Sequence, residues 1–132
     1  MKKVCDLNLQ RNQLIDEIDE KIIEIAKKGN VIIDSQLSAY ILESLADFKI
    51  LLTCPLEIRV KRMAQRDNVS YDKKLKETKL REESELKRFK QLYGIDLNDQ
   101  QKKQNVYNLI LDTRNLTVEE ILDKILSALP QI

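Results

Sequence analysis

The sequence predicts an α/β layer: a short parallel sheet of about three strands flanked by helices, with one long helix projecting from it. Three observations predict it. Largely apolar runs at 31–33, 48–53 and 108–112 lack alternation of apolar and polar residues, the pattern of strands covered on both faces. Segments with apolar residues at steps of three and four lie between and around those runs. Strands that alternate with helices in this way lie parallel, joined by helical crossovers.

The first helix is expected over Asn12 to Lys28, with Leu14, Ile15, Ile18, Ile22, Ile25 and Ala26 on one side. Lys27 and Lys28 suit the negative end of its dipole, and Gly29 is the stop. Val31-Ile32-Ile33, closing on Asp34, is the first strand, and Gln36 to Leu45 is a short helix or turn. Phe48 to Thr53 is the second strand, after which Pro55 opens a helix to about Arg66. Ser70 caps a long polar helix that runs to Tyr93 and stops at Gly94. Its apolar residues, Leu75, Leu80, Leu86, Phe89 and Leu92, are too few for a core element along its whole length. It is expected to stand partly clear of the body as a lid, roughly residues 67–95. Residues 96–105 read as a polar loop, and Asn108 to Asp112 as the third strand. Thr117 caps the last helix, with Thr117-Val118-Glu119-Glu120 as a capping box. Val118, Ile121, Leu122, Ile125, Leu126 and Leu129 are expected on its buried side. No repeat, low-complexity tract or linker interrupts the chain, so residues 1–132 are expected to form a single domain.

Composition narrows the function. One core suits 132 residues, and 42% hydrophobic with 34% charged residues is a folded composition. The apolar runs are too short to cross a bilayer, and no apolar signal segment follows Met1. Two cysteines, Cys5 and Cys54, make no disulfide framework, so the cytoplasm is the expected compartment. The absence of histidine excludes Ser-His-Asp and Cys-His hydrolysis and His-ligated zinc. With only Gly29 and Gly94, neither G-x-x-x-x-G-K-[ST] nor G-x-G-x-x-G can be written within these residues. The net charge of +1 hides an asymmetry: residues 6–24 hold six acids and two bases, residues 59–90 twelve bases and six acids. That positive stretch suits a phosphate-bearing partner.

Three groups of residues could carry chemistry. Arg81, Glu85 and Arg88 stand at i, i+4 and i+7, on one helical face. Two guanidinium groups beside a carboxylate could clamp a phosphorylated ligand in fork geometry. The same spacing also makes an exposed salt-bridge ladder worth about 0.3–0.5 kcal/mol per pair. Arg59, Arg62 and Arg66 share a face directly after a strand, at the end of an α/β sheet where ligands bind; a basic surface stripe would look the same. Asp34, with Ser35 and Gln36, closes the first strand, and Asp112, with Thr113 and Arg114, closes the third. A carboxylate there could meet a ligand hydroxyl or metal-bound water, or cap the following turn. The tyrosines are too scattered for a base-stacking platform.

These stretches resemble the archaeal-type cytidylate kinases, nucleoside monophosphate kinases of the P-loop fold. The resemblance rests on Gly29-Asn30-Val31-Ile32-Ile33-Asp34, on Ala46-Asp47-Phe48-Lys49-Ile50 to Arg62, on Arg81-Glu82-Glu83-Ser84-Glu85 and Tyr93-Gly94-Ile95-Asp96, and on Leu109-Ile110-Leu111-Asp112-Thr113. It covers almost the whole chain from about Gln13. It implies a partial P-loop kinase fold and transfer of the terminal phosphoryl group of ATP to CMP or dCMP with magnesium. It implies Arg81 and Arg88 as catalytic lid arginines, with Asp34, Gln36 and Glu85 on the substrate side. Arg62 and Arg66 would lie on the ATP side, near the lid hinge.

The chain departs from that pattern in two places. It contains no glycine-rich phosphate loop with its lysine and Ser/Thr, and Ser35-Gln36 stands where the family has Gly-Arg. A neutral amide does not replace a guanidinium on a phosphate. The chain is therefore expected to be inactive alone. In the family fold the absent strand lies between those at 31–34 and 48–53, so association is expected: a homo-oligomer or a partner chain that completes the sheet. Asp34, Thr53 and Asp112 are expected at a common rim. The alternatives are one subunit of a split kinase, or a non-catalytic structural component that binds RNA or protein through its basic helix. The acids mixed into that helix and the lack of interleaved aromatics speak against nucleic acid.

Overall fold

The computed structural model describes residues 17–130. They divide into two compact units, one ending at Lys49 and the other beginning at Ile50. Leu14, Ile15 and Cys5 lie outside the described residues.

In the first unit, helix α1 (17–28) ends where Gly29 and Asn30 both turn left-handed, with φ of 73° and 54°. The Gly29 N–H donates to the Ala26 carbonyl at 3.1 Å, closing the last turn. The run 31–34 is extended but joins no ladder, and Ile32 is fully exposed. The expectation of a strand there is corrected for a physical reason: a strand exists only by pairing, and no described strand lies beside this run. Helix α2 (Ser38–Ile41) follows, its Ser38 N–H held by the Ser35 hydroxyl at 3.0 Å, and then one 3-10 turn, Glu43–Leu45. Leu37, Tyr40 and Leu42 are buried.

The second unit holds the sheet. Strands β1 (Ile50–Thr53) and β2 (Leu109–Asp112) pair in parallel, Ile50 opposite Leu109 and Thr53 opposite Asp112. The ladder continues beyond the strands, since Thr113 donates to the Thr53 carbonyl from both its N–H (2.8 Å) and its hydroxyl (3.0 Å). Among the described residues the sheet has two strands rather than about three. The α/β class and the parallel sense stand.

Helix α3 (Leu56–Asp67) starts behind Pro55 and ends at Asn68, a non-glycine residue at φ 54°. Helix α4 (Tyr71–Tyr93) starts at Ser70, whose hydroxyl accepts the Lys73 N–H at 3.3 Å, and ends at Gly94 with φ 66°. The two helices run antiparallel in contact. Lys74 pairs with Asp67 at 2.9 Å, and eight residues further along α4 Glu82 pairs with Arg59. Val60, 0% exposed, and Ala64 and Thr78 fill the seam. The long helix, expected to stand partly clear of the body, lies against α3 along its first half, while most of its surface faces solvent.

Two further expectations change. Residues 100–106 form a short helix α5 (Gln100–Val106), started by the Asp99 carboxylate accepting the Lys102 N–H at 3.1 Å. The cap residue outweighs the lack of apolar periodicity there. Helix α6 (Val118–Ala128) is capped as expected, the Thr117 hydroxyl accepting the Glu120 N–H at 3.1 Å, but no residue of it is buried. Val118 is 81% exposed, and Leu122, Leu126 and Leu129 are exposed below it. Two strands are too little sheet to cover this face.

Candidate functional site

The carboxyl ends of β1 and β2 form the rim around which the second unit's polar side chains gather. Thr53 and Asp112 stand in register at the strand ends. Two arginines of α3 reach back to the segments that follow. Arg59 donates from Nε to the Cys54 carbonyl at 2.9 Å and ion-pairs through Nη1 with Glu82 of α4. Arg62 donates from Nη2 to the carbonyls of Thr113 (3.2 Å) and Arg114 (3.4 Å), and its Nη1 lies 3.6 Å from the Cys54 sulfur. Arg62 thus ties α3 to the loop behind β2 with one guanidinium bridging two carbonyls.

Arg66 does not join them. It turns one turn further on and grips its neighbour Asp67 with two bonds, Nε to Oδ1 at 2.9 Å and Nη2 to Oδ2 at 3.2 Å. Asp67 also receives Lys74, so it sits between two cations at the α3–α4 junction. The Arg66 hydrogen bond first, then that of Lys74, holds the Asp67 carboxyl far below the usual carboxylate range. The same contacts raise Arg66 and Lys74. At the rim, the Arg114 side chain and backbone N–H both donate to Asp112, which lowers that carboxyl and raises Arg114.

Arg81, Glu85 and Arg88 line one face of α4 as their spacing predicts. Arg81 is 76% exposed and donates from Nε to Glu85 at 3.0 Å. Its terminal nitrogens remain available to an anion. Arg88 lies with its guanidinium 5.2 Å from the centre of the buried Phe89 ring, and that ring meets Tyr93 edge to face at 6.5 Å. The cation–π contact orients Arg88 without neutralising it. Asp34 and Gln36 lie exposed in the first unit, where the Ser35 hydroxyl, not the Asp34 carboxylate, accepts the Ser38 N–H.

The fold therefore brings Arg81, Glu85 and Arg88 to one face, fixes Arg62 at the rim and turns Arg66 to the α3–α4 junction. Arg59, Asp67 and Lys74 emerge as the residues that set the pitch of α4 against α3. Their roles needed the pairing of α3 with α4, which no local spacing in the sequence reveals.

A triphosphate cradle and a magnesium site do not fit the described residues. Both glycines are helix stops with open space beside them. Both Asp112 carboxylate oxygens are taken by Arg114, and no three acidic or cysteine side chains gather among the described residues. Among those residues, also, no helix is long and apolar enough to cross a membrane.

Comparison with known proteins gives a consistent result. The family described as the cytidylate kinase-like family matches residues 2–115. A cytidylate kinase of Staphylothermus marinus is 44% identical over 79% of this chain and 56% of its own length. One of Methanocaldococcus jannaschii is 36% identical over 93% of this chain and 68% of its own. One of Saccharolobus islandicus is 34% identical over 100% of this chain and 67% of its own. The chain spans between just over half and two thirds of these relatives, matching their C-terminal part. No solved structure matches.

Proposed function

The chain belongs to the cytidylate kinase-like family, and from that membership we propose that it is the acceptor-and-lid portion of a phosphotransferase converting ATP and CMP or dCMP to ADP and the corresponding diphosphate. The observation that carries this reading is the pair of exposed arginines, Arg81 and Arg88, on one face of a helix anchored at its other end, with the largely covered Glu85 between them. Phosphoryl transfer is chiefly positioning and charge neutralisation, so arginines held ready at a phosphate are the chemistry this portion can supply.

Each side chain has a place in that reading. Glu85 holds the Arg81 guanidinium through Nε, so the terminal N–H pair meets phosphate oxygens with its orientation already set. Arg88, steadied over Phe89, supplies the second positive charge. Asp67, clamped by Arg66 and Lys74, fixes where α4 leaves α3. Arg62 fixes the loop of Thr113 and Arg114; the family resemblance assigns it to the ATP side. By family resemblance alone, Asp34 and Gln36 of the first unit would serve the nucleoside monophosphate, Gln36 with hydrogen bonds in place of a charge.

The phosphate cradle, with magnesium, comes from residues outside these 132, which by themselves do not turn over. A two-dimensional amide NMR titration with CMP and with ATP tests the binding half of this reading. Resonances of α4 around Arg81 and Arg88 should move, and the movement should vanish in Arg88→Gln. Titrations that leave α4 unmoved would overturn it.

A further inference from the structure

We infer that the Ser84 hydroxyl is a third anion-binding group of α4, donating a hydrogen bond to the phosphate oxygens that Arg81 and Arg88 hold. That the phosphate belongs to a nucleotide rests on the reading above; the anion site rests on the geometry of α4. Arg81 and Arg88 stand at i and i+7, about 10 Å apart along the axis, with Ser84 and Glu85 midway between them. An anion shared by the two guanidinium groups therefore sits over one of those two residues. Glu85 is negative, only 16% exposed and already bonded to Arg81. Ser84 is exposed and neutral. On the helix surface its neighbours at three and four residues are Leu80, Arg81, Lys87 and Arg88, three cations and no acid. Of the adjacent acids, Glu82 is engaged by Arg59, and Glu83 lies about 100° round the helix.

The hydroxyl is also available. A hydroxyl inside a helix commonly donates back to the carbonyl four residues earlier. Thr78 in the same helix does so to Lys74 at 2.7 Å, and Ser127 in α6 does so to Asp123 at 2.8 Å. Ser84 makes no such bond, and its hydroxyl has no hydrogen-bond partner among the described residues. A hydroxyl donates to an anion without adding a charge that would oppose it. One neutral donor between two guanidinium groups thus completes a row of three groups along one face of α4, with Lys87 beside it as a further cation.

The test follows the α4 amide and arginine Nε resonances of the full chain during titrations with CMP, with ATP and with inorganic pyrophosphate. Ser84→Ala should bind each ligand that moves α4 about tenfold more weakly, the loss of one hydrogen bond to a charged acceptor. Alanine favours a helix more than serine does, so the melting temperature should not fall and unfolding cannot account for the loss. Ser84→Thr keeps the hydroxyl and should restore most of the affinity. Ser84→Asp should abolish binding, because its carboxylate takes the anion's place between the arginines. Ser127→Ala removes the same group from α6 and should bind as the parent chain does. An unchanged affinity in Ser84→Ala, or no movement around Arg81 and Arg88 with any of the three ligands, would overturn the inference. Movement there with pyrophosphate but with neither nucleotide would leave the role of Ser84 standing and overturn the functional reading. Nucleotide binding at Arg81 and Arg88 that Ser84→Ala does not weaken would do the reverse.

Discussion

Arg62 and Asp67 show how single side chains set the geometry of this protein. Arg62 bridges two carbonyls that follow β2, so Arg62→Lys should lose one bridge and about 1 kcal/mol, read as a melting temperature lower by about 4 °C. Asp67 gives a pH signature. Its carboxyl is held down by Arg66 and Lys74, so its stabilising effect is complete above the unfolded value near 4 and is lost as the pH falls towards the lower folded value. Urea midpoints should therefore fall between pH 5 and pH 2. In Asp67→Asn the midpoint should start lower at pH 7 and fall less steeply. A parallel pair of curves would show that Asp67 does not anchor α4. Of the residues singled out in the sequence, Arg81, Glu85 and Arg88 share a face because i, i+4 and i+7 guarantee it. Arg59, Arg62 and Arg66 share a face by the same rule and yet diverge, because partners from other segments capture each one.

Helix boundaries were legible because local chemistry fixes them. Ser70, Gly94 and Thr117 stand at the ends their side chains or backbone freedom predict. Gly94→Ala should cost about 1 kcal/mol from the left-handed backbone alone, since a Cβ there meets nothing within 4 Å. Thr117→Ala should cost about 1 kcal/mol by freeing the Glu120 N–H, again read by urea unfolding. The strands at 50–53 and 109–112 were legible from their unbroken apolar runs, and the run 31–34 was legible as a sequence of strand type. Whether a run becomes a strand depends on a neighbour, and that is not local information. α5 went unseen because a single cap residue, Asp99, started a helix without apolar periodicity. α6 showed the opposite: its amphipathic pattern correctly predicted a helix, but pattern cannot supply the surface that would cover it.

Across the whole molecule, the described residues form two units, each with apolar surface that a folded protein seldom leaves to water. Val118→Lys should leave the melting temperature of the isolated chain unchanged within a degree, because that side chain contributes little burial in this state. The central claim is that these residues hold the acceptor and lid of a kinase whose donor cradle lies elsewhere. Phosphorus NMR of ATP, CMP and magnesium tests it most directly. The account predicts an unchanged ATP spectrum with these 132 residues alone, and ADP and CDP resonances once they are fused behind the part of the Methanocaldococcus jannaschii cytidylate kinase that precedes the matched region. CDP made by these residues alone, or none made by a folded fusion, would contradict it.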